Sequence, residues 1–205
     1  MNKIRVKKTG FILVPLMLVG SLKAATTLNI TGYSINFNNT STSAYEDNGG
    51  AQLNDNLEQN IVWGGGESIS FDDVRPLVGW QLVDPLITLD FGTTVTIGGI
   101  QVWAADSNGV AGVHFPDRVT ISDPNSSFSR SLNLTDPAGG GSMVAINLSG
   151  FSVTTDTLEV SVSRGGTWTF LSEVNAFAVP EPSSVILFGI AIPCLFMQRK
   201  RNRVR

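Results

Sequence analysis

One histidine, four tryptophans and a single cysteine set narrow limits on the chemistry open to this chain of 205 residues. Nucleophilic acyl transfer needs a base beside a Ser or Cys, and zinc sites draw on several His or Cys ligands. His114 alone supplies neither arrangement. Gly-x-Ser-x-Gly is absent, so no nucleophile elbow is indicated. Glycoside hydrolysis needs only two carboxylates at a suitable separation, and Asp72-Asp73 is the obvious pair. Adjacent residues on an extended chain point to opposite faces, however, which suits turn acids ahead of Arg75-Pro76. The chain is read as noncatalytic.

Binding chemistry is better served. A pyranose ring has an apolar face for an exposed aromatic side chain and hydroxyls for Asp, Asn, Arg or His. Trp80 and Trp103 sit beside strand patterns and are expected in the core, whereas Trp63 and Trp168 flank glycine-rich loops and are free to be exposed. Asp106, His114, Arg164 and Trp168 form the candidate ligand-binding group, on the expectation that loops 104–116 and 163–168 share one rim. His114, at a loop-to-strand junction, suits packing as well as ligand contact. Asn54-Asp55-Asn56, Asp72-Asp73 and Asp106-Ser107-Asn108 supply loop oxygens of the kind calcium takes, without the spacing of an EF-hand. They suit one structural calcium ion and ordinary turns alike, and no other cofactor is expected.

These groups must be held by strands. Ile87, Leu89 and Phe91 alternate with polar residues, and the same period of two recurs at Ile100 and Val102, Val119 and Ile121, Phe128 to Leu134, Val144 to Leu148, and Leu158 to Val162. Phe91-Gly92-Thr93-Thr94, Gly98-Gly99, Ser122 to Ser127, Thr135 to Gly141, Ser149-Gly150 and Arg164-Gly165-Gly166 separate these runs as turn or break signals. No helical stripe interrupts them. The pattern predicts an all-β antiparallel sandwich, with long loops between Asn38 and Arg75.

The two ends differ in kind from this body. Lys3, Arg5, Lys7 and Lys8 precede an apolar run from Phe11 to Gly20 and small residues at Ala24-Ala25, the build of a secretory signal peptide over residues 1–24. Residues 179–205 contain Pro180-Glu181-Pro182, an apolar run from Val185 to Met197 suited to a short transmembrane helix, and five basic residues that favour the cytoplasmic side. Between them, residues 25–178 carry four arginines, no lysine and sixteen acids, a net charge of −12 against −3 for the whole chain. Such a body repels nucleic acid phosphates and anionic lipid. The one cysteine, Cys194, lies in the terminal apolar run, so burial and not disulfides must hold the body together.

The tail resembles the PEP-CTERM sorting signal of Gram-negative bacteria, carried here by Pro180, Glu181 and Pro182, the apolar run and the basic cluster. That resemblance implies export through the inner membrane, cutting near the motif by an exosortase, and delivery to the cell surface or beyond. Gly79-Trp80, Asp84-Pro85 through Gly92, Val95-x-Ile97 and Ile100-x-Val102, with Pro116 to Ile121 and Trp168 to Val174, resemble the discoidin, or factor 5/8 C-terminal-like, domains. This likeness implies an eight-stranded jelly roll of the galactose-binding-like superfamily. Together the two resemblances imply a surface-directed binding or matrix protein with extracellular polysaccharide as the favoured partner. A structural biofilm component without a small ligand and a secreted glycoside hydrolase are the alternatives.

Overall fold

Two strands of more than twenty residues dictate the architecture. The computed structural model describes residues 26–36, 47, 50–56, 77–137 and 141–179. The signal segment, the sorting tail, Trp63 and Asp72-Asp73 lie outside the described residues. In chain order the strands are β1 (Gly32–Ile35), β2 (Val78–Gln81), β3 (Leu86–Asp106), β4 (Arg118–Ser122), β5 (Ser129–Asn133), β6 (Ser142–Ser163) and β7 (Trp168–Ala178). A single 3₁₀ turn, Val110–Gly112, is the only helical element among the described residues. None of them forms a helix long and apolar enough to cross a membrane.

Fully extended, β3 or β6 would reach about 70 Å at ~3.3 Å per residue. A domain of this size is only about 40 Å across. Both strands therefore bend. The pairing of β3 with β6 slips between Asp90 and Val95 and again between Ile97 and Gly99, and its pairing with β7 slips at the second place too. The first half of β3 pairs with β1 and with the second half of β6, which continues to β4 and then β5. The second half of β3 lies between the first half of β6 and β7, with β2 beyond β7. All pairings are antiparallel, and the two halves face each other as the layers of a sandwich.

Gly92, Gly98-Gly99 and Ser149-Gly150 are thus bends inside continuous strands, and the breaks expected there are corrected. Extra residues in one partner tilt the strand without ending it. Among the described residues there are seven strands, and two of them, β3 and β6, serve both layers. Gly98 is required at one bend, since a Cβ there would meet Val179 Cα at 2.7 Å.

These inward positions on the two long strands are buried: Ile87, Leu89 and Phe91, then Ile100, Val102 and Ala104 on β3, and Leu158, Val160 and Val162 on β6. Trp80 and Leu53 complete this main core. Each fully buried aliphatic or aromatic side chain contributes about 1.5–3 kcal/mol through removal from water. A second, smaller cluster of Leu77, Ala105, Val113, Met143 and Phe170, flanked by Trp103 and Trp168, lies separate from the main core. Trp103 is thereby corrected from core to a half-buried position. β5, at the edge of its layer, is exposed along its whole length, so the alternation from Phe128 to Leu134 buries only its two ends in part.

Candidate functional site

β3 leaves one end of the sandwich at Leu86, bends at the other, and returns to the first at Asp106; β6 ends there and β7 starts there. Three loops meet at that end: 82–85, 107–117 and 164–167. The Leu82 N–H donates to Thr167 O at 2.8 Å, and the Asp117 N–H donates to Ser163 O at 2.9 Å. Val113 forms a parallel bridge to Trp168, and the His114 N–H makes a long 3.5 Å contact to Trp168 O. Segments far apart in sequence are joined by their backbones into one rim.

Glycines set how closely the loops approach. A Cβ on Gly166 would run into the His114 ring, one on Gly109 would lie 2.8 Å from His114 Cε1, and one on Gly165 would run into Phe115 O. The imidazole is therefore wedged between two loops. Around it the backbone is wound tightly: Asn108, Gly109, Ala111 and Gly112 all have positive φ, and Ser107 Oγ lies 2.7 Å from Val110 O and 2.6 Å from Val113 O. Asn108 and Ala111 carry the strain of that conformation, about 1–2 kcal/mol each.

The expectation of a shared rim concerned four side chains, and the structure gives them unlike positions. His114 and Trp168 are each half-buried, on segments joined by the Val113–Trp168 bridge. Trp168 stacks on Phe170 with ring centroids 5.4 Å apart and planes 17° apart, which fixes the indole. Arg164 is half-buried and turned along its own hairpin: Nε donates to Asp84 Oδ1 at 3.1 Å and Nη1 to Gly166 O at 3.3 Å. Asp106 is 0% exposed, so it lies beneath the rim and not on it. Its Oδ1 accepts the Asn108 N–H at 3.0 Å, the geometry of an Asx turn, which answers a local backbone donor before any ligand can. Leu82, 62% exposed with φ 57°, and Val110, 49% exposed, stand on the same rim and were not among the expected site residues. Only the pairing of distant loops reveals them.

The calcium expectation divides by loop. Among the described residues no three His, Cys, Asp or Glu side chains gather as a metal cluster. At the Asp106 loop Oδ1 is committed to the turn, while the buried Oδ2 has no hydrogen-bond partner among the described residues. Near Asn54 the surroundings differ: a cavity of about 220 Å³ is lined by Asn29, Asn54, Asn56, Glu173 and Asn175. Glu173 is 1% exposed there, and the Val174 N–H donates to Leu53 O at 2.7 Å. Tyr33 pins the neighbouring loop, donating to Asp47 Oδ2 at 2.6 Å and accepting the Leu53 N–H at 3.0 Å. Burial, followed by the bond to Asp47, drives the phenol well above its ordinary value, so it stays a neutral donor.

A Streptococcus pneumoniae fucose binding module has a TM-score of 0.51 at 10% identity over 76% of this chain and 96% of its own. The sandwich shares its fold with that module. The lectin domain of lectinolysin, complexed with Lewis B antigen, gives 0.49 at 11% identity over 72% and 92%. The module CpGH89CBM32-5 from Clostridium perfringens, in complex with GalNAc-β-1,3-galactose, gives 0.45 at 12% identity over 71% and 94%. No protein-family model and no curated protein matches the chain. An identity of 10% shows a shared fold, in agreement with the expectation of an all-β antiparallel sandwich, and leaves the ligand to the side chains.

Proposed function

We propose that the chain is an exported, noncatalytic, glycan-binding module directed to the cell surface of a Gram-negative bacterium, with the rim as its binding site. The observation that carries this reading is the backbone bridge of Val113 to Trp168, which brings the loop holding His114 and the strand start holding the stacked Trp168 indole to one end of the sandwich. Trp168 offers the apolar face a sugar ring needs, His114 a nitrogen for its hydroxyls, and Arg164 a guanidinium already aligned by Asp84. Asp106 acts from below by shaping the loop. A glycan array of the purified chain tests the reading: saturable binding lost in Trp168→Ala supports it. An array without signal overturns it in favour of a structural surface component.

Delivery rests on the tail. Pro180, Glu181 and Pro182 mark the place where an exosortase would cut, and the apolar run behind them would hold the chain in the membrane until then. Mass spectrometry of the protein recovered from the cell surface tests this, since processing leaves a new C-terminus close to the motif. A surface form ending at Arg205 overturns it. A structural calcium ion belongs to the same reading, at the cavity lined by Asn54, Asn56 and Glu173, where oxygen donors of the kind it takes converge. It would tie the loop after Ala51 to β7. Chelation should then lower the melting temperature, and a melting temperature indifferent to chelator and to added calcium removes the ion from the account.

A further inference from the structure

At the opposite end of the sandwich, where β3 and β6 bend, lies a cavity of about 400 Å³. Its floor is backbone at Gly98 and Gly99, Phe177 and Phe151 contribute its aromatic lining, and Asn147 and Ser149 bring polar groups to it. We propose that this groove is a second carbohydrate site, taking one neutral pyranose residue independently of the rim.

The argument begins with Gly99. It pairs with Ser149 on β6 and Phe177 on β7, so a residue without a side chain sits between two that have one, and a depression follows. The glycine is not demanded by packing: a Cβ there would find Leu148 O at 3.4 Å and Phe177 Cβ at 3.8 Å, ordinary contacts. Its backbone is not in the left-handed region either. Gly98 next to it is fixed by the approach of Val179, whereas Gly99 is free to be larger, and its effect is to keep the groove open.

The walls are held in place. Phe151 has Phe128 at 5.5 Å between centroids and the Arg130 guanidinium 6.0 Å from its ring centroid, while Arg130 Nη1 donates to Gly150 O at 3.0 Å. Such an arrangement limits rotamer loss on binding. Beside the floor runs a chain of side-chain bonds: Trp103 Nε1 donates to Gln101 Oε1 at 3.0 Å, and Gln101 Nε2 donates to Asn147 Oδ1 at 2.9 Å. That chain ends at the exposed Asn147 with its Nδ2 protons unspent among the described residues. A fixed carbonyl and a free NH₂ at the edge of an apolar slot match the hydroxyl rim and C–H face of a sugar ring. No charged residue lines the groove, which favours a neutral sugar over a uronate.

The test uses the purified full chain, with neutral trisaccharides of glucose, mannose and galactose as probes, followed by saturation-transfer NMR and by tryptophan fluorescence. Gly99→Val plugs the floor; Asn147→Ala, at an exposed position, removes the amide with little effect on folding. Melting temperatures verify both. The expected result is saturable binding that survives Trp168→Ala, weakens about fivefold in Asn147→Ala and about tenfold or more in Gly99→Val. Binding abolished by Trp168→Ala and untouched by both groove variants overturns this site and leaves the rim reading intact. Absence of any Gly99-sensitive binding, including the case in which the chain beyond Val179 occupies the groove, overturns it as well.

Discussion

The two ends of the sandwich are built from the same strands, yet they use polar residues in opposite ways. At the rim, Arg164 is engaged by Asp84, one Asp106 oxygen by its own turn, and the His114 ring is hemmed in by Gly109 and Gly166. At the bend end, Asn147 takes one hydrogen bond and keeps its amide protons, beside a floor where a glycine is optional. Residue types that suggest a site are thus partly consumed by holding the rim together. The less conspicuous amide at the bends has capacity to spare.

The largest expected effect tests whether the rim is built on close backbone approach. Gly165→Ala drives a Cβ into Phe115 O, and a backbone carbonyl cannot swing aside as a side-chain tip can. Urea denaturation should show a loss of about 3 kcal/mol or more. Gly99→Ala at the other end should change stability by less than about 1 kcal/mol, because its new methyl meets only ordinary contacts. Equal losses at the two positions would abolish the distinction. Ala111→Gly should move in the other direction. Its φ of 55° costs an alanine more than a glycine, so stability should rise by about 0.5–1 kcal/mol after allowing for the looser unfolded chain. A variant less stable than the parent would mean that the rim loop holds no such strain.

Much of this contrast was hidden in the sequence, and for identifiable reasons. The period of two at Ile87 to Phe91 and at Leu158 to Val162 reads directly as core-facing strand, because one face of each layer is buried and the other is not. The glycines at 92, 98, 99 and 150 carry two meanings, turn or bulge, and local sequence does not distinguish them. Reading them as ends hid the fact that β3 and β6 pass from one layer to the other, and with it the groove. Trp103 looked like core because it lies in a strand with Val102. An indole at such a position can pack in a second cluster instead, with its N–H answered by Gln101. At the rim, the convergence of loops 104–116 and 163–168 was legible in outline. That Asp106 would face inward was not, since the Asx turn that buries it depends on Asn108 two residues later taking a positive φ.

Acid titration sharpens the comparison from the bend end. Asp123, in the turn between β4 and β5, accepts the Asn125 N–H at 3.0 Å and the Thr155 hydroxyl at 3.2 Å. The Asn125 N–H first, then the hydroxyls of Ser126 and Thr155, hold its carboxyl below the usual value, although burial opposes them. A depressed folded-state value means that the carboxylate contributes stability above about pH 4, its unfolded value, and loses that contribution as pH falls through the folded one. Asp123→Asn keeps an acceptor oxygen but not the charge, so it should lower the melting temperature modestly at neutral pH, converge with the parent in acid, and flatten the acid limb of the melting curve below about pH 4. An unchanged acid limb would mean that the turn does not depend on the charge.

The smallest effect belongs to the ion pair of Arg164 with Asp84. Arg164 and Asp84 form an ion pair at 3.1 Å, but their side chains are 33% and 51% exposed, so water screens the attraction and side-chain ordering offsets it. Asp84→Ala should cost about 0.2–1 kcal/mol, and less in high salt. Its informative consequence is in binding. Without the carboxylate, Arg164 keeps only its bond to Gly166 O and the guanidinium is free to turn, so glycan affinity at the rim should fall while affinity at the groove stays constant. If Asp84→Ala weakens both sites alike, the two ends are coupled through β3 and cannot be treated as separate surfaces. If it weakens neither, Arg164 serves to close the hairpin and takes no part in recognition, and the rim must bind through His114 and Trp168 alone.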